Sequence, residues 1–158
     1  MTSGVVVAGL GSEYRQDDGA GPAVARRIAE MVDYITDVGP MGEPLDLLGR
    51  WDEADLAIVI DSMRSGAELG AVEVFDLSEA DLERDLVGTT TVSTHGIGFI
   101  GTLRLSRALD RAPSRVLLVA IEGRHFDQGM GLSEAVQNGV DQAVERIVDL
   151  LGDGRTDV

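Results

Sequence analysis

The chain has 158 residues, 44% of them hydrophobic, enough for one domain with its own core and no covalent staples. It contains no cysteine, so a disulfide framework, a thiolate zinc site and a cysteine nucleophile are excluded, and any metal must be held by oxygen or imidazole. The 28 acidic residues against 13 basic ones give a formal charge of -15, which disfavours nucleic acid and anionic membranes as partners and either solvates the surface or suits a cationic or metal-bearing partner.

Along the chain, short apolar runs alternate with helical periodicity. "GVVVAG" (4–9) reads as a strand ending in Gly, and "AVARRIAEMV" (23–32) as a helix with Val24, Ile28, Met31 and Val32 on one face and Pro22 in its first turn. "YITDVG" (34–39) is a weaker strand and "EPLDLLGRW" (43–51) a short helix. "DLAIVID" (55–61) is an apolar run of the kind buried on both faces of a parallel sheet. "AVEVFDL" (71–77) alternates like an edge strand, "SEADLERDL" (78–86) opens with a Ser cap, and "GTTTVSTHGIG" (88–98) is a polar, Gly-bounded loop. Phe99, Leu103 and Leu109 mark another helix, and "RVLLVAIE" (115–122) a second buried strand. Ser133 caps a last helix with Val136, Val140, Val144, Ile147 and Val148 on one face. The expected fold is a single-domain α/β/α sandwich over residues 1–151, with helices on both faces of a mostly parallel twisted sheet and a flexible tail at 152–158. The longest apolar runs fall far short of the ~20 residues of a membrane span and no signal sequence opens the chain, so a cytoplasmic protein, a monomer, is expected.

In open α/β sheets, ligands bind beyond the carboxyl ends of the strands. Following the strands there leads from Gly9 to Asp17 and Asp18, then to Asp61, then to Glu122. The turn "GLGSEY" (9–14) has Tyr14 where a dinucleotide turn needs its third glycine, and two carboxylates at the helix start would repel a phosphate. Nor does any Gly-Lys-Ser/Thr occur for a Walker loop. The carboxylate pair either caps the helix or offers oxygen to a cation. Asp61 adds a second carboxylate and His95, on its Gly-flanked loop, an imidazole; two carboxylates and one imidazole make a three-ligand nitrogen and oxygen site suited to nickel, zinc or iron.

Four stretches, "VVAGLGSEYRQDDGAG", "AIVIDSMRSG", "STHGIGF" and "VAIEGRHFDQGMGLSEAV", resemble the signature blocks of the hydrogenase maturation proteases, nickel-dependent endopeptidases, in family order over about residues 5–148. The resemblance implies that Asp18, Asp61 and His95 bind a metal and form the catalytic site. Asp17, beside the first ligand, is then a cap or a support. It further implies removal of a short C-terminal extension from the large-subunit precursor of a nickel-iron hydrogenase after nickel insertion, with the precursor's own nickel as the recognition element. Other divalent metals can occupy such a site. A nickel-handling chaperone that binds the same partner without cutting it would use the same ligands. Ser12 stands where many members carry Asn, and Gly123, Arg124 and His125 where many carry Pro and acidic residues, so the block bordering the site departs from the family.

Overall fold

The computed structural model describes residues 4–41, 43–52, 54–77 and 94–156, with the backbone alone for 37–40, 94–97 and 153–156. Five strands form one sheet: β1 (Val5–Leu10), β2 (Ile35–Met41), β3 (Leu56–Met63), β4 (Val72–Asp76) and β5 (Arg115–Glu122). The helices are α1 (Ala20–Met31), α2 (Thr94–Ala108) and α3 (Glu134–Thr156), with 3-10 segments at Gln16–Gly19 and Pro44–Gly49. Strand order is β2-β1-β3-β5-β4, and all pairings are parallel except that of β4 with β5. This is the expected single-domain α/β architecture, with the alternating "AVEVFDL" run at one edge and the weak "YITDVG" run at the other.

The near-continuous apolar runs of β1, β3 and β5 are buried on both faces, and their two-residue alternation sorts them into two cores. Val6, Ala8, Leu10, Val59, Val116 and Leu118 face α2 and the Pro44–Gly49 segment. Val7, Ile58, Ile60, Val119 and Ile121 face α1 and α3, meeting Val24, Ile28, Val140 and Ile147. In the first core Trp51 meets Phe99 edge-on, ring centroids 6.1 Å apart, and its indole N–H donates to the Ser106 hydroxyl at 3.1 Å, which satisfies the polar end of a fully buried ring. The register sets Asp61 opposite Ala120 and Met63 opposite Glu122, so β3 and β5 deliver their last side chains to the same rim.

Several boundaries differ from the sequence reading. Met31, the last residue of α1, is 59% exposed, because the chain turns toward β2 there and Val32 packs on the core instead. Leu109 lies just past the end of α2 and is half exposed. Thr94–Gly98, read as loop, is the start of α2, and α3 runs on through residues read as tail to Thr156. The helix expected over 78–86 and the loop residues 88–93 lie outside the described residues. No helix among the described residues is long and apolar enough to cross a membrane.

Candidate active site

The turn after β1 is built around a carboxylate. Gly11 has φ +113, a region that L side chains avoid, and a Cβ there would lie 2.1 Å from the backbone oxygen of Asp18. Two residues earlier, a Cβ on Gly9 would lie 2.4 Å from the carbonyl oxygen of Gly21. The two glycines therefore let α1 and its leading 3-10 turn come down onto the end of β1. The backbone N–H of Ser12 then donates to Asp18 Oδ2 at 2.8 Å. The turn offers Asp18 the kind of amide that a nucleotide-binding turn would offer a phosphate.

Asp61 stands near the end of β3, directly before Ser62. Both carboxylates are buried, Asp18 at 2% and Asp61 at 5% exposure. Ser62 connects them: its backbone N–H donates to Asp61 Oδ1 at 2.8 Å and its hydroxyl to Asp18 Oδ1 at 3.4 Å. Strand alternation continues from Val59 to Asp61 on the α2 face and from Ile60 to Ser62 on the α1 face, so this pair of neighbours spans the sheet. Ser62 escaped the sequence reading. The only signal for it is its position directly after a strand-terminal aspartate.

The structure separates Asp17 and Glu122 from the Asp18–Asp61 pair. Asp17 Oδ2 accepts the N–H groups of Arg124 and His125, and Oδ1 accepts both the N–H and the hydroxyl of Ser133, all at 3.0 Å. Burial pushes the Asp17 carboxyl upward, but the hydrogen bonds from Arg124, His125 and Ser133 together outweigh it and hold the group below its ordinary value. Neither the 3-10 turn nor α1 has a side-chain cap, so the cap reading of Asp17 gives way to that of a loop anchor. Glu122 accepts from Ser65 N–H, from the Ser65 hydroxyl at 2.6 Å and from Gly66 N–H at 3.2 Å, which fixes the loop after β3.

His95 stands in the first turn of α2, four residues before the buried Phe99. The described structure gives its backbone position only. Among the described residues no cluster of three His, Cys, Asp or Glu side chains that could hold a metal is present, and Asp18 and Asp61 stand as two potential donors. His125 is exposed, and its backbone carbonyl accepts the Asp17 N–H at 2.8 Å.

The family model for HycI, hydrogenase maturation protease, matches residues 22–150. Among solved structures, HybD from Thermococcus kodakarensis, a [NiFe] hydrogenase maturation protease, is 30% identical with TM-score 0.78, over 93% of this chain and 98% of that one. The hydrogenase maturating endopeptidase HybD from E. coli shares the fold at 20% identity and TM-score 0.81, over 96% of this chain and 93% of that one. The hydrogenase maturation protease HycI from Thermococcus kodakarensis KOD1 does so at 22% identity and TM-score 0.73, over 95% and 93%. No curated protein matches the chain.

Proposed function

The chain belongs to the hydrogenase maturation protease family, and on that footing we propose that it removes a C-terminal extension from a nickel-iron hydrogenase large-subunit precursor after nickel insertion, recognising the bound nickel through Asp18, Asp61 and His95. Nickel in this reading arrives with the precursor, as part of the substrate. The observation that carries the proposal is two buried carboxylates hydrogen-bonded by one serine, Asp18 from the 3-10 turn that follows β1 and Asp61 from near the end of the adjacent parallel strand β3. Carboxylate oxygen with an imidazole nitrogen is a donor set that suits nickel and leaves positions for the precursor's own ligands.

A divalent ion at such a site supplies Lewis acidity to a carbonyl or a water. The chain's own residues supply orientation. Ser12 N–H and the Ser62 hydroxyl hold the Asp18 carboxylate, and Ser62 N–H holds that of Asp61, as outer hydrogen bonds hold ligands in metal sites generally. Asp17 is unsuited to proton acceptance, because hydrogen bonds hold its carboxyl below the usual range and a general base works best near the operating pH. The α2 start brings His95 to the helix that covers the Asp61 face of the sheet. Mass spectrometry of nickel-loaded precursor tests the assignment. The wild-type chain is expected to release the extension, and Asp18→Asn, Asp61→Asn and His95→Ala are each expected to leave it in place while remaining folded by circular dichroism.

A further inference from the structure

Three arginines stand at the ends of the three central strands: Arg15 after β1, Arg64 after β3 and Arg124 after β5, all exposed. They gather around one short segment. Arg15 Nε donates to the carbonyl of Phe126 at 3.2 Å, Arg64 Nη2 donates to the carbonyl of Arg124 at 2.7 Å, and the Arg64 guanidinium lies 5.0 Å from the centre of the Phe126 ring.

Among the described residues their charge is uncompensated, which is unexpected in a chain with 28 acidic residues and 13 basic ones. Arg26, Arg27, Arg111 and Arg115 each hold a carboxylate. Arg15, Arg64 and Arg124 hold none among the described residues. The buried carboxylates two residues along the chain from Arg15 and Arg124, Asp17 and Glu122, are turned instead to backbone and serine donors. Carbonyl contacts orient two of the guanidiniums without neutralising them. An open cleft of ≈ 380 Å³ lined by Tyr14, Arg15, Gln128, Gly129 and Met130 continues from Arg15, with Tyr14 63% and Met130 71% exposed along it.

We propose that this arginine rim docks an acidic segment of the precursor polypeptide, its Asp or Glu side chains against the guanidiniums and its flanking residues along the Tyr14–Met130 cleft. The proposal rests on the proteolytic reading above and names how the same site holds its substrate. A guanidinium fork takes a carboxylate in bidentate fashion. Three of them on three separate loops match several side-chain carboxylates better than one chain-terminal carboxylate. Opposite charge also raises the encounter rate of a partner that the protein's net charge would otherwise repel.

The test uses nickel-loaded large-subunit precursor, with KM and kcat measured at low and high salt, and binding of fluorescently labelled precursor measured separately. The variant R15Q/R64Q/R124Q is expected to raise KM about tenfold at low salt, to leave kcat within about twofold, and to lose most of the difference at high salt, where screening removes the attraction. R15K/R64K/R124K keeps the charge and is expected to recover most of the low-salt KM. An unchanged KM in the Gln variant, an equal loss at both salt concentrations, or a Lys variant as weak as the Gln variant would overturn the docking role. Amidating the precursor's C-terminus is expected to change nothing; a tenfold rise in KM from that alone would assign the rim to the terminal carboxylate and overturn the side-chain assignment. Salt-sensitive binding without cleavage by the wild-type chain would support the rim and remove the proteolytic reading, whereas cleavage insensitive to the rim would do the reverse.

Discussion

Asp17 accepts two hydrogen bonds from Ser133, one from its backbone N–H and one from its hydroxyl, each at 3.0 Å. With the Arg124 and His125 amides on the other oxygen, one carboxylate closes the loop between β5 and α3 onto the turn that carries Asp18. Asp17→Asn keeps the shape but points an amide donor at groups that themselves donate. It is expected to cost about 1–3 kcal/mol, the usual penalty for stranded buried polar groups. Urea unfolding checks this, and an unchanged midpoint would mean that the loop is held by other contacts.

The same carboxylate gives acid stability a predictable shape. Because the folded Asp17 carboxyl is held below its ordinary value, its contribution is full above about pH 4, near the unfolded aspartate value, and is lost as pH falls through the lower folded value. The stability gap between wild type and Asp17→Asn should therefore be constant near neutrality and shrink below about pH 4. Thermal unfolding of both proteins across that range reads it directly. A gap that widens in acid would contradict the assignment.

Glycine substitutions should divide by sign. Gly9→Ala drives a Cβ to 2.4 Å from the Gly21 carbonyl oxygen and must lift α1 from the sheet, at about 1–3 kcal/mol for an overpacked contact. Gly101→Ala, in the middle of α2 with nothing within 4 Å of the new methyl, should stabilise by about 0.5–1 kcal/mol through helix propensity alone. Denaturant midpoints of the two variants measure both effects, and shifts in opposite directions are expected.

Ser62→Ala is expected to slow precursor cleavage by about five- to tenfold, the rate equivalent of one net hydrogen bond of ~1 kcal/mol. The loss is small because the hydroxyl contact to Asp18 is long, 3.4 Å, and the Ser62 N–H to Asp61 survives the substitution. Inactivation as complete as that of Asp18→Asn would place the hydroxyl in the chemistry itself.

The two histidines separate on backbone grounds. His125 meets Asp17 through its own N–H and carbonyl, which His125→Ala retains, so cleavage should stay within about threefold of wild type, less than one net hydrogen bond is worth. His95→Ala should abolish it. Equal inactivity of the two variants would promote the His125 side chain to ligand or proton donor.

Much of this was legible in the residues. The apolar runs ending at Gly9, Asp61 and Glu122 announce buried parallel strands, and the rule that ligands sit beyond strand ends points to the acidic groups of one rim, Asp18 and Asp61 among them. The partition among the acids is not legible in residue chemistry, and only the family resemblance singles out Asp18. Asp17 and Asp18 are neighbours of identical chemistry, and what distinguishes them is which loop arrives on each side: Ser133 for one, Ser12 and Ser62 for the other. Glu122 similarly looked like a rim ligand, whereas the Ser65 turn takes it. The segment around His95 reads as loop from its Thr and Gly content, yet the chain is already helical at Thr94, because local propensity is a weak prior beside the packing of Phe99 on Trp51.

In the proposed function, the site recognises a precursor through the nickel it carries. The direct measurement is intact-mass spectrometry of two precursor preparations, nickel-loaded and nickel-free, each incubated with the wild-type chain for the same time. Loss of the C-terminal extension from the loaded precursor alone is the predicted result. Equal cleavage of the nickel-free precursor would contradict it.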